Sequence, residues 1–214
     1  MDLFRRETRS STLIPITLQP EPPRFAQDVR NPGSAFLRRV QNPNRDDWSR
    51  NNFWTRALAD LYSSYGGICA YSASWIPAAV QASVDHFLPK SLYRPQAYEW
   101  RNFRLSSKEM NSNKGDAQGR LDPCAIQAGW FVLRFDTLRI EAEGTLRQQQ
   151  IQTIEHTIRV LKLNHDAYVE SRFAIVRDYS KGDCTLAFLQ RRYPFIASEL
   201  QRQNKATTIL GTIQ

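Results

Sequence analysis

The amino-acid sequence predicts an α+β fold, in which a small unit of two strands and one helix is embedded in a mainly helical domain with an irregular N-terminal arm. Residues 83–87 and 100–105 are rich in β-branched and aromatic residues and lie between turn-forming stretches, as is typical of short strands. Residues 107–114 can form a short helix. Apolar residues recur at three- and four-residue spacing in residues 46–65 and again beyond residue 150, which indicates amphipathic helices.

Composition and charge limit the environment and the partners of the chain. With 214 residues, 41% of them apolar, it can bury a core as one domain, or as one domain with an extension. A net charge of +8 favours a polyanionic partner, nucleic acid first. No run approaches the ~20 apolar residues that span a bilayer, so no membrane partner is expected. The three cysteines form no CxxC pair, which argues against a disulfide framework and favours a cytoplasmic location.

Residues 1–45 are expected to form an irregular, basic N-terminal arm. The stretch is rich in proline, arginine and asparagine and has no sustained hydrophobic period. Ten arginines lie within the first 56 residues. A solvated, poorly ordered terminus and an arm that contacts nucleic acid or another subunit are both compatible with this composition.

One helix is expected over residues 46–65. Asp46 or Asp47 can cap its first turn, and two consecutive glycines follow its last residue. Residues 68–76 and the two segments named above are expected as short strands. The strands at 83–87 and 100–105 should pair as a hairpin with the following helix packed across them, and Gly115 suits the position that ends this helix.

The rest of the chain is expected to contain a hairpin followed by helices. Apolar segments flank Asp136 and Thr137 like the arms of a hairpin. Isoleucines on one face indicate a first helix near residue 154, residues 168–176 a second, and the last apolar stretch a third that is interrupted near Pro194. The chain then divides into three predicted units: an arm at 1–45, a central unit at 46–123, and a hairpin with C-terminal helices at 124–214.

The central unit contains the residue types that phosphodiester hydrolysis needs. That reaction requires a base to activate water, a cation to neutralise developing charge, and donors that hold the phosphate. His86, with an ordinary pKa near 6.5, can accept a proton at neutral pH. Asp85 and Asn111 offer the oxygen ligands that Mg²⁺ prefers. Lys114 lies one helical turn after Asn111 and could meet a phosphate. Because neighbouring strand residues point to opposite sides, Asp85 and His86 can serve one site only where the strand ends.

Taken together, the segments VDHFLPKS, YEWRNFRL and MNSNKGD resemble the pattern of HNH endonucleases: an Asp-His pair, a central Asn, and Asn-x-x-Lys. This resemblance implies a ββα-metal fold and an endonuclease that hydrolyses nucleic acid, DNA being the expected substrate. The implied cation is Mg²⁺, with Mn²⁺ as a possible substitute, because the last position of the name-giving triad is Asn rather than His. The implied roles are His86 as general base, Asn102 as the residue that holds the loop and the base, Asp85 and Asn111 as metal ligands, and Lys90 and Lys114 as phosphate contacts.

Short segments outside this core add a second resemblance. GGICAYS upstream and LDPC and LKLN downstream are similar to bacterial HNH proteins of antiphage defence, including the Septu-type nuclease subunit that works with an ATPase. This resemblance implies a role in antiviral defence, with an ATPase or another defence-system subunit as partner.

The sequence departs from the family at its zinc ligands. Many members carry a zinc knuckle of two cysteine pairs around the core. Here Ser72 stands where the second cysteine of CAYS would be, and Met110 precedes Asn111 where a cysteine often lies. Cys69 and the distant Cys124 cannot supply the four ligands of tetrahedral zinc. No structural zinc is therefore expected.

The residues also allow other interpretations. An Asp-His pair alone is often a capping aspartate beside a buried histidine, Asn102 could be a turn residue, and Lys114 a solvated surface lysine. His156 and His165 lie in amphipathic helical context and are expected at the surface or at a cap. The alternative function is a noncatalytic nucleic-acid-binding or assembly subunit that kept the fold.

Overall fold

The N-terminal segment is helical, not irregular, in the second half of the expected arm. The structure is a computed structural model that describes residues 16–77 and 79–209. A π-helical turn, Ala26–Arg30, leads directly into helix α1, Asn31–Arg39. Buried apolar side chains recur at helical spacing along this stretch: Phe25, Val29 and Phe36. The expectation of an irregular arm is therefore wrong for residues 26–39, and residues 1–15 lie outside the described residues.

Two residues that usually break helices explain the error. Pro32 lies in the first turn of α1, and its fixed φ is compatible with the helical backbone there. Gly33 packs against the ring of Tyr98, and a Cβ at this position would collide with that ring. The glycine thus allows a close contact between α1 and Tyr98. Helix propensity, which depends on local sequence, does not include such a tertiary contact.

The single helix expected over residues 46–65 is broken into three pieces. Helix α2 is Arg45–Arg50, a 3₁₀ turn spans Phe53–Ala57, and helix α3 is Leu58–Ser64. The cap is Asn44, not Asp46 or Asp47 as expected: its Oδ1 accepts the N–H groups of both aspartates at 2.9 Å. Asp47 accepts the N–H of Asn44 in return and completes a capping box.

The expected hairpin with a helix behind it is confirmed. Strand β1, Ala82–His86, pairs antiparallel with strand β2, Phe103–Ser107, and helix α4, Lys108–Lys114, follows β2 without a loop. The Ser107 hydroxyl caps α4 by accepting the N–H of Met110 at 3.1 Å. Gly115 ends the helix at a φ of +49°, a backbone region that favours glycine. Two expectations fail: residues 100–102 form a 3₁₀ turn, and residues 68–76 contribute only one bridge.

The C-terminal elements follow the expected order. Strands β3, Phe131–Leu133, and β4, Ile140–Ala142, form a second antiparallel pair. The helices after them are α5, Gln148–Val160; α6, Asp166–Lys181; α7, Leu186–Arg192; and α8, Pro194–Arg202. Pro194 starts α8 rather than bending one long helix, because proline is tolerated in a first turn. Further 3₁₀ turns are Ala79–Gln81, Arg94–Gln96 and Pro123–Ala125.

One hydrophobic cluster connects these parts of the chain. Buried side chains of the N-terminal helices, the first hairpin and the C-terminal helices belong to it, among them Phe36, Phe103, Met110 and Ile154. The α+β class is confirmed, whereas the boundaries of the three units stay a prediction. In the described part of the chain, no helix has the length and apolarity that crossing a membrane requires.

Candidate active site

The first hairpin separates Asp85 and His86 onto its two faces. Asp85 lies opposite Arg104 in the register, and His86 lies opposite Phe103 at the end of β1. Neighbouring strand residues project to opposite sides. The contacts follow this rule, since the Asp85 carboxylate meets Lys114 of α4 while the His86 ring meets Trp54. The strand end brings the two residues together in the chain but leaves their side chains on different faces.

Asp85 is buried in a cluster that satisfies both of its oxygens. Its side chain pairs through Oδ1 with Lys114 Nζ at 2.8 Å, and Tyr71 donates its hydroxyl hydrogen to Oδ2. Lys114 also donates to the carbonyl of His86 at 2.7 Å. Burial lowers the pKa of Lys114, while the neighbouring Asp85 opposes that shift. Burial first, and then the Asp85 charge, raise the pKa of Tyr71 well above its ordinary value, so Tyr71 is a neutral donor.

Lys114 therefore is not the solvated surface lysine that the sequence allows. It is 3% exposed, and its ammonium neutralises a carboxylate that is 1% exposed. A buried charge needs such a partner, because desolvation of an unpaired ion costs several kcal/mol. In this conformation Lys114 contacts Asp85 rather than a phosphate-accessible surface.

His86 is held in one tautomer by the loop after β1. Its Nε2 lies 2.8 Å from the carbonyl oxygen of Ala97. A carbonyl only accepts, so Nε2 carries the hydrogen and Nδ1 keeps its lone pair in the neutral ring. Trp54 and Phe103 contact the imidazole edge-on, with ring centroids 5.1 and 5.3 Å away. Burial and then the charge of Lys90 lower the pKa of His86 to about 3, so the ring is neutral at pH 7.

Asn102 fixes the loop that orients His86. Its Oδ1 accepts the N–H of Leu88 at 2.7 Å, and its Nδ2 donates to the carbonyls of Leu88 and Gln96, each at 3.0 Å. Ala97, whose carbonyl holds the His86 ring, directly follows Gln96. This geometry is the one expected of a residue that holds the loop and, through it, the base. A direct catalytic role of Asn102 stays a prediction.

Asn111 lies on the Asp85 face of the hairpin. Its Nδ2 donates to Ser83 Oγ at 3.2 Å, and Val84 O lies at 3.5 Å. Ser83 and Asp85 share a face of β1 because side chains alternate along a strand. No group in residues 16–77 or 79–209 donates a hydrogen bond to Asn111 Oδ1, which leaves this oxygen available as a ligand.

Lys90 lies on the other face, beside His86. Its ammonium is 5.2 Å from the centroid of the Trp54 ring, the same ring that contacts His86. The six expected site residues thus form two adjoining groups of one hairpin and its surroundings: Asp85, Asn111 and Lys114 on the α4 side, and His86, Asn102 and Lys90 on the Trp54 side.

Sequence reasoning missed Tyr71 and Trp54. Tyr71 belongs to the CAYS segment, which was compared only for its cysteine positions, yet its hydroxyl holds Asp85. Trp54 lies in the apolar pattern of residues 46–65, which indicated only a helix, whereas its half-buried ring contacts both His86 and Lys90. The sequence interpretation of Asp85 as part of a buried site could have indicated Tyr71, because a buried carboxylate needs hydrogen-bond donors. No local signal was available for Trp54.

Comparison with known proteins identifies no family for this chain. No protein-family model matches it, and no curated protein is similar to it in sequence. Among the described residues, no group of three or more His, Cys, Asp or Glu side chains could hold a metal ion. The expected metal ligands, the Asp85 carboxylate and the Asn111 amide, include only one side chain of these types, so the absence of a group of three among the described residues does not test them. The expected absence of structural zinc stays a prediction.

Proposed function

We propose that the chain is a metal-dependent endonuclease that hydrolyses phosphodiester bonds of nucleic acid, with DNA as the expected substrate. In this proposal β1, β2 and α4 form a ββα-metal core of the HNH type. The observation that supports it most directly is the position of Asp85, Asn111 and Lys114 on one face of the hairpin, where Lys114 pairs with Asp85 and Asn111 contacts the neighbouring Ser83, with His86 ending the same strand. Two oxygen ligands and a cation therefore share one face, and the proposed base ends the same strand with its ring on the opposite face.

His86 serves as the general base at Nδ1 in this mechanism. The hydrogen bond from Nε2 to Ala97 O supports that role, because it orients the ring and leaves the Nδ1 lone pair free to take a proton from water. Asn102 acts as a positioning residue, since it holds the loop that carries this carbonyl. Burial keeps the ring neutral at pH 7, the form required of a base, but the lowered pKa also makes the ring a weaker proton acceptor, so the base role depends on stabilisation of the imidazolium during the reaction.

Asp85 and Asn111 fit an oxygen-liganded divalent cation such as Mg²⁺. The Asp85 carboxylate already faces a positive charge, the Lys114 ammonium, and Asn111 Oδ1 has no donor among the described residues. When bound, Mg²⁺ would supply Lewis-acid stabilisation of the charge on the phosphate and the leaving oxygen. For Asp85 Oδ1 to serve as a ligand, Lys114 would have to leave it, and its ammonium would then be available for a phosphate, as the family resemblance implies.

A second candidate function is a noncatalytic nucleic-acid-binding or assembly subunit. It is favoured by the closed state of the polar cluster: both Asp85 oxygens are satisfied, and His86 is only 7% exposed. In that case Asp85, Lys114 and Tyr71 form a structural network that no metal enters. Metal-dependent cleavage separates the two candidates.

The resemblance to HNH proteins of antiphage defence extends the proposal to a biological role. We propose antiphage defence as the process, an ATPase or another defence-system subunit as the partner, and the cytoplasm as the location. A neighbouring ATPase gene, together with cleavage that requires its product, would support this extension. Cleavage that is unaffected by any neighbouring protein would leave the endonuclease proposal intact and remove the partner.

The decisive experiment compares wild type with His86→Ala and His165→Ala on plasmid and single-stranded substrates in Mg²⁺ or Mn²⁺. His165 is exposed and precedes α6, so its loss is a matched control for histidine removal. We expect His86→Ala to lose roughly 10²- to 10⁴-fold in rate while binding nucleic acid normally, and His165→Ala to cut like wild type. Equal cutting by His86→Ala, or an inert wild type that still binds, would replace the endonuclease with the binding subunit.

A further inference from the structure

A groove of about 550 Å³ adjoins His86 on the Trp54 side of the hairpin. Its walls are the start of α2 and the residues after it, faced by Lys90, Ser91 and Asp116. Trp54 lines the groove and also contacts the His86 ring, with centroids 5.1 Å apart. A ligand in this groove would therefore lie next to the proposed base, separated from it by one side chain.

Two cations line the groove without acidic partners. Within residues 16–77 and 79–209, neither Arg45 nor Lys90 forms an ion pair. Lys90 rests on the Trp54 ring at 5.2 Å from its centroid, which holds the ammonium at the groove wall. Asp116, the acidic residue of the lining, accepts the Ser91 hydroxyl at 2.8 Å. The groove is thus positively charged, as a site for anionic groups should be.

The position of Arg45 is not explained by the stability of α2. Arg45 occupies the first turn of the helix, where the positive end of the helix dipole disfavours a cation, whereas Arg50 lies in the last turn, where a cation is favourable. Both side chains are exposed. Arg50 does not line the groove, so the two arginines differ in what they face rather than in charge or exposure.

A second groove continues the basic surface along the same segment. It has a volume of about 500 Å³ and is lined by Arg38, Arg94 and Gln41, while Pro43 and Asn44 of the same segment line the first groove. Arg94 donates to Asn42 Oδ1 at 2.8 Å and so anchors this segment between the two grooves. Four cations along two grooves that share residues 41–44 as a common border suit a polymer with repeated charges better than a single small anion.

We propose that these grooves hold the sugar–phosphate backbone of a nucleic-acid strand on one side of the bond to be cut, with Arg45 and Lys90 as direct phosphate contacts. This inference rests on the proposed function, and it specifies which surface takes the substrate. Because Lys90 covers the groove-side contact of Trp54, the tryptophan positions the lysine rather than stacking on a base. Recognition here is of the backbone, so it is independent of base sequence.

The test measures binding and cleavage separately. Binding of a labelled, mixed-sequence single-stranded DNA is followed by fluorescence anisotropy in EDTA at several salt concentrations, for wild type, Arg45→Ala, Lys90→Met and the control Arg50→Ala. Each groove variant should lower the slope of log K against log salt by about 0.7 and weaken binding roughly threefold. Arg50→Ala should leave the slope unchanged, and circular dichroism and melting should match wild type in all variants.

The outcomes distinguish the inference from the function on which it rests. Unchanged salt slopes in Arg45→Ala and Lys90→Met, with metal-dependent cleavage that still requires His86, would overturn the groove alone. An equal loss in Arg50→Ala would also overturn it, because the effect would then reflect net charge. Absence of nucleic-acid binding by wild type would remove the proposed function and the groove with it. A loss of slope confined to the two groove variants supports the inference.

Discussion

Replacing Lys114 by methionine tests whether its buried pair with Asp85 guards a metal site. Methionine keeps a long, flexible apolar stem but removes the ammonium that neutralises Asp85. Removing one partner of a buried ion pair leaves an uncompensated charge, which costs roughly 3 to 5 kcal/mol. Total stabilities are typically about 5 to 15 kcal/mol, so the variant should fold but unfold at a lower temperature or denaturant concentration in metal-free buffer.

The same substitution should strengthen binding of Mg²⁺ or Mn²⁺. In wild type the cation must displace Lys114 from Asp85 Oδ1, whereas in Lys114→Met that oxygen has no competitor. A ligand at 100 times its Kd stabilises a protein by about 2.7 kcal/mol, which recovers much of the loss. Metal should therefore raise the melting temperature of Lys114→Met more than that of wild type, and calorimetry should give a lower Kd.

Two controls make the result specific. Lys108→Met removes an exposed lysine from the same helix and should change neither stability nor metal binding. Adding Asp85→Asn to Lys114→Met should abolish the response to metal, because the charged ligand is then absent. A Lys114→Met protein that melts like wild type would refute the buried pair, and one that is destabilised but gains nothing from metal would refute Asp85 as a ligand.

Three further outcomes follow from the geometry. The folded-state pKa of His86, about 3, lies below its unfolded value of 6.5, so the contribution of this residue to stability is fully present above pH 6.5 and is lost toward pH 3 by up to about 1.4 kcal/mol per pH unit. In metal-free urea denaturation, His86→Gln should reduce this dependence of the unfolding free energy on pH. Equal pH dependences of wild type and variant would contradict the prediction. Asn102→Asp removes two donors and should cost about 1 to 3 kcal/mol with faster amide exchange in the loop after β1, whereas unchanged protection would show that other contacts hold the loop. Gly33→Ala should destabilise the folded protein by about 1 to 3 kcal/mol, because the new Cβ collides with Tyr98. The control Gly144→Ala places its Cβ in open space and should leave stability unchanged. Equal melting temperatures of the two variants would count against the contact between Gly33 and Tyr98.

Local patterns predicted the elements that depend on local chemistry. The hairpin, the helix after it and the order of the C-terminal helices follow from alternation, spacing and turn residues within each segment. The N-terminal helices were missed because Gly33 is explained by a ring far along the chain. The cap of α2 was misassigned because Asn44, which precedes the two aspartates, accepts their N–H groups.

The candidate site, too, could be predicted only in part from local sequence patterns. Motif spacing predicted one group of Asp85, Asn111 and Lys114, and these residues lie on one strand and on the helix packed against it. It did not predict that Lys114 is buried against Asp85, since spacing does not state which way a long side chain turns. Tyr71 and Trp54 enter the site from segments outside the motif and depend on tertiary packing.

Burial of a charged group is not by itself a sign of function in this protein, and Glu199 shows why. Glu199 is fully buried, but it accepts the N–H of Leu133 and a bidentate pair from Arg202, so it serves the contact between α8 and β3. Within residues 16–77 and 79–209, the side-chain hydrogen bonds and ion pairs of Asp85 and Lys114 join only β1, α4 and Tyr71. Apolar residues of similar volume could join β1 to α4 at no loss, and often with a gain, in stability. Under the endonuclease proposal the pair has a second role, because Asp85 would exchange Lys114 for a cation; the metal response of Lys114→Met tests that role against a purely structural pair.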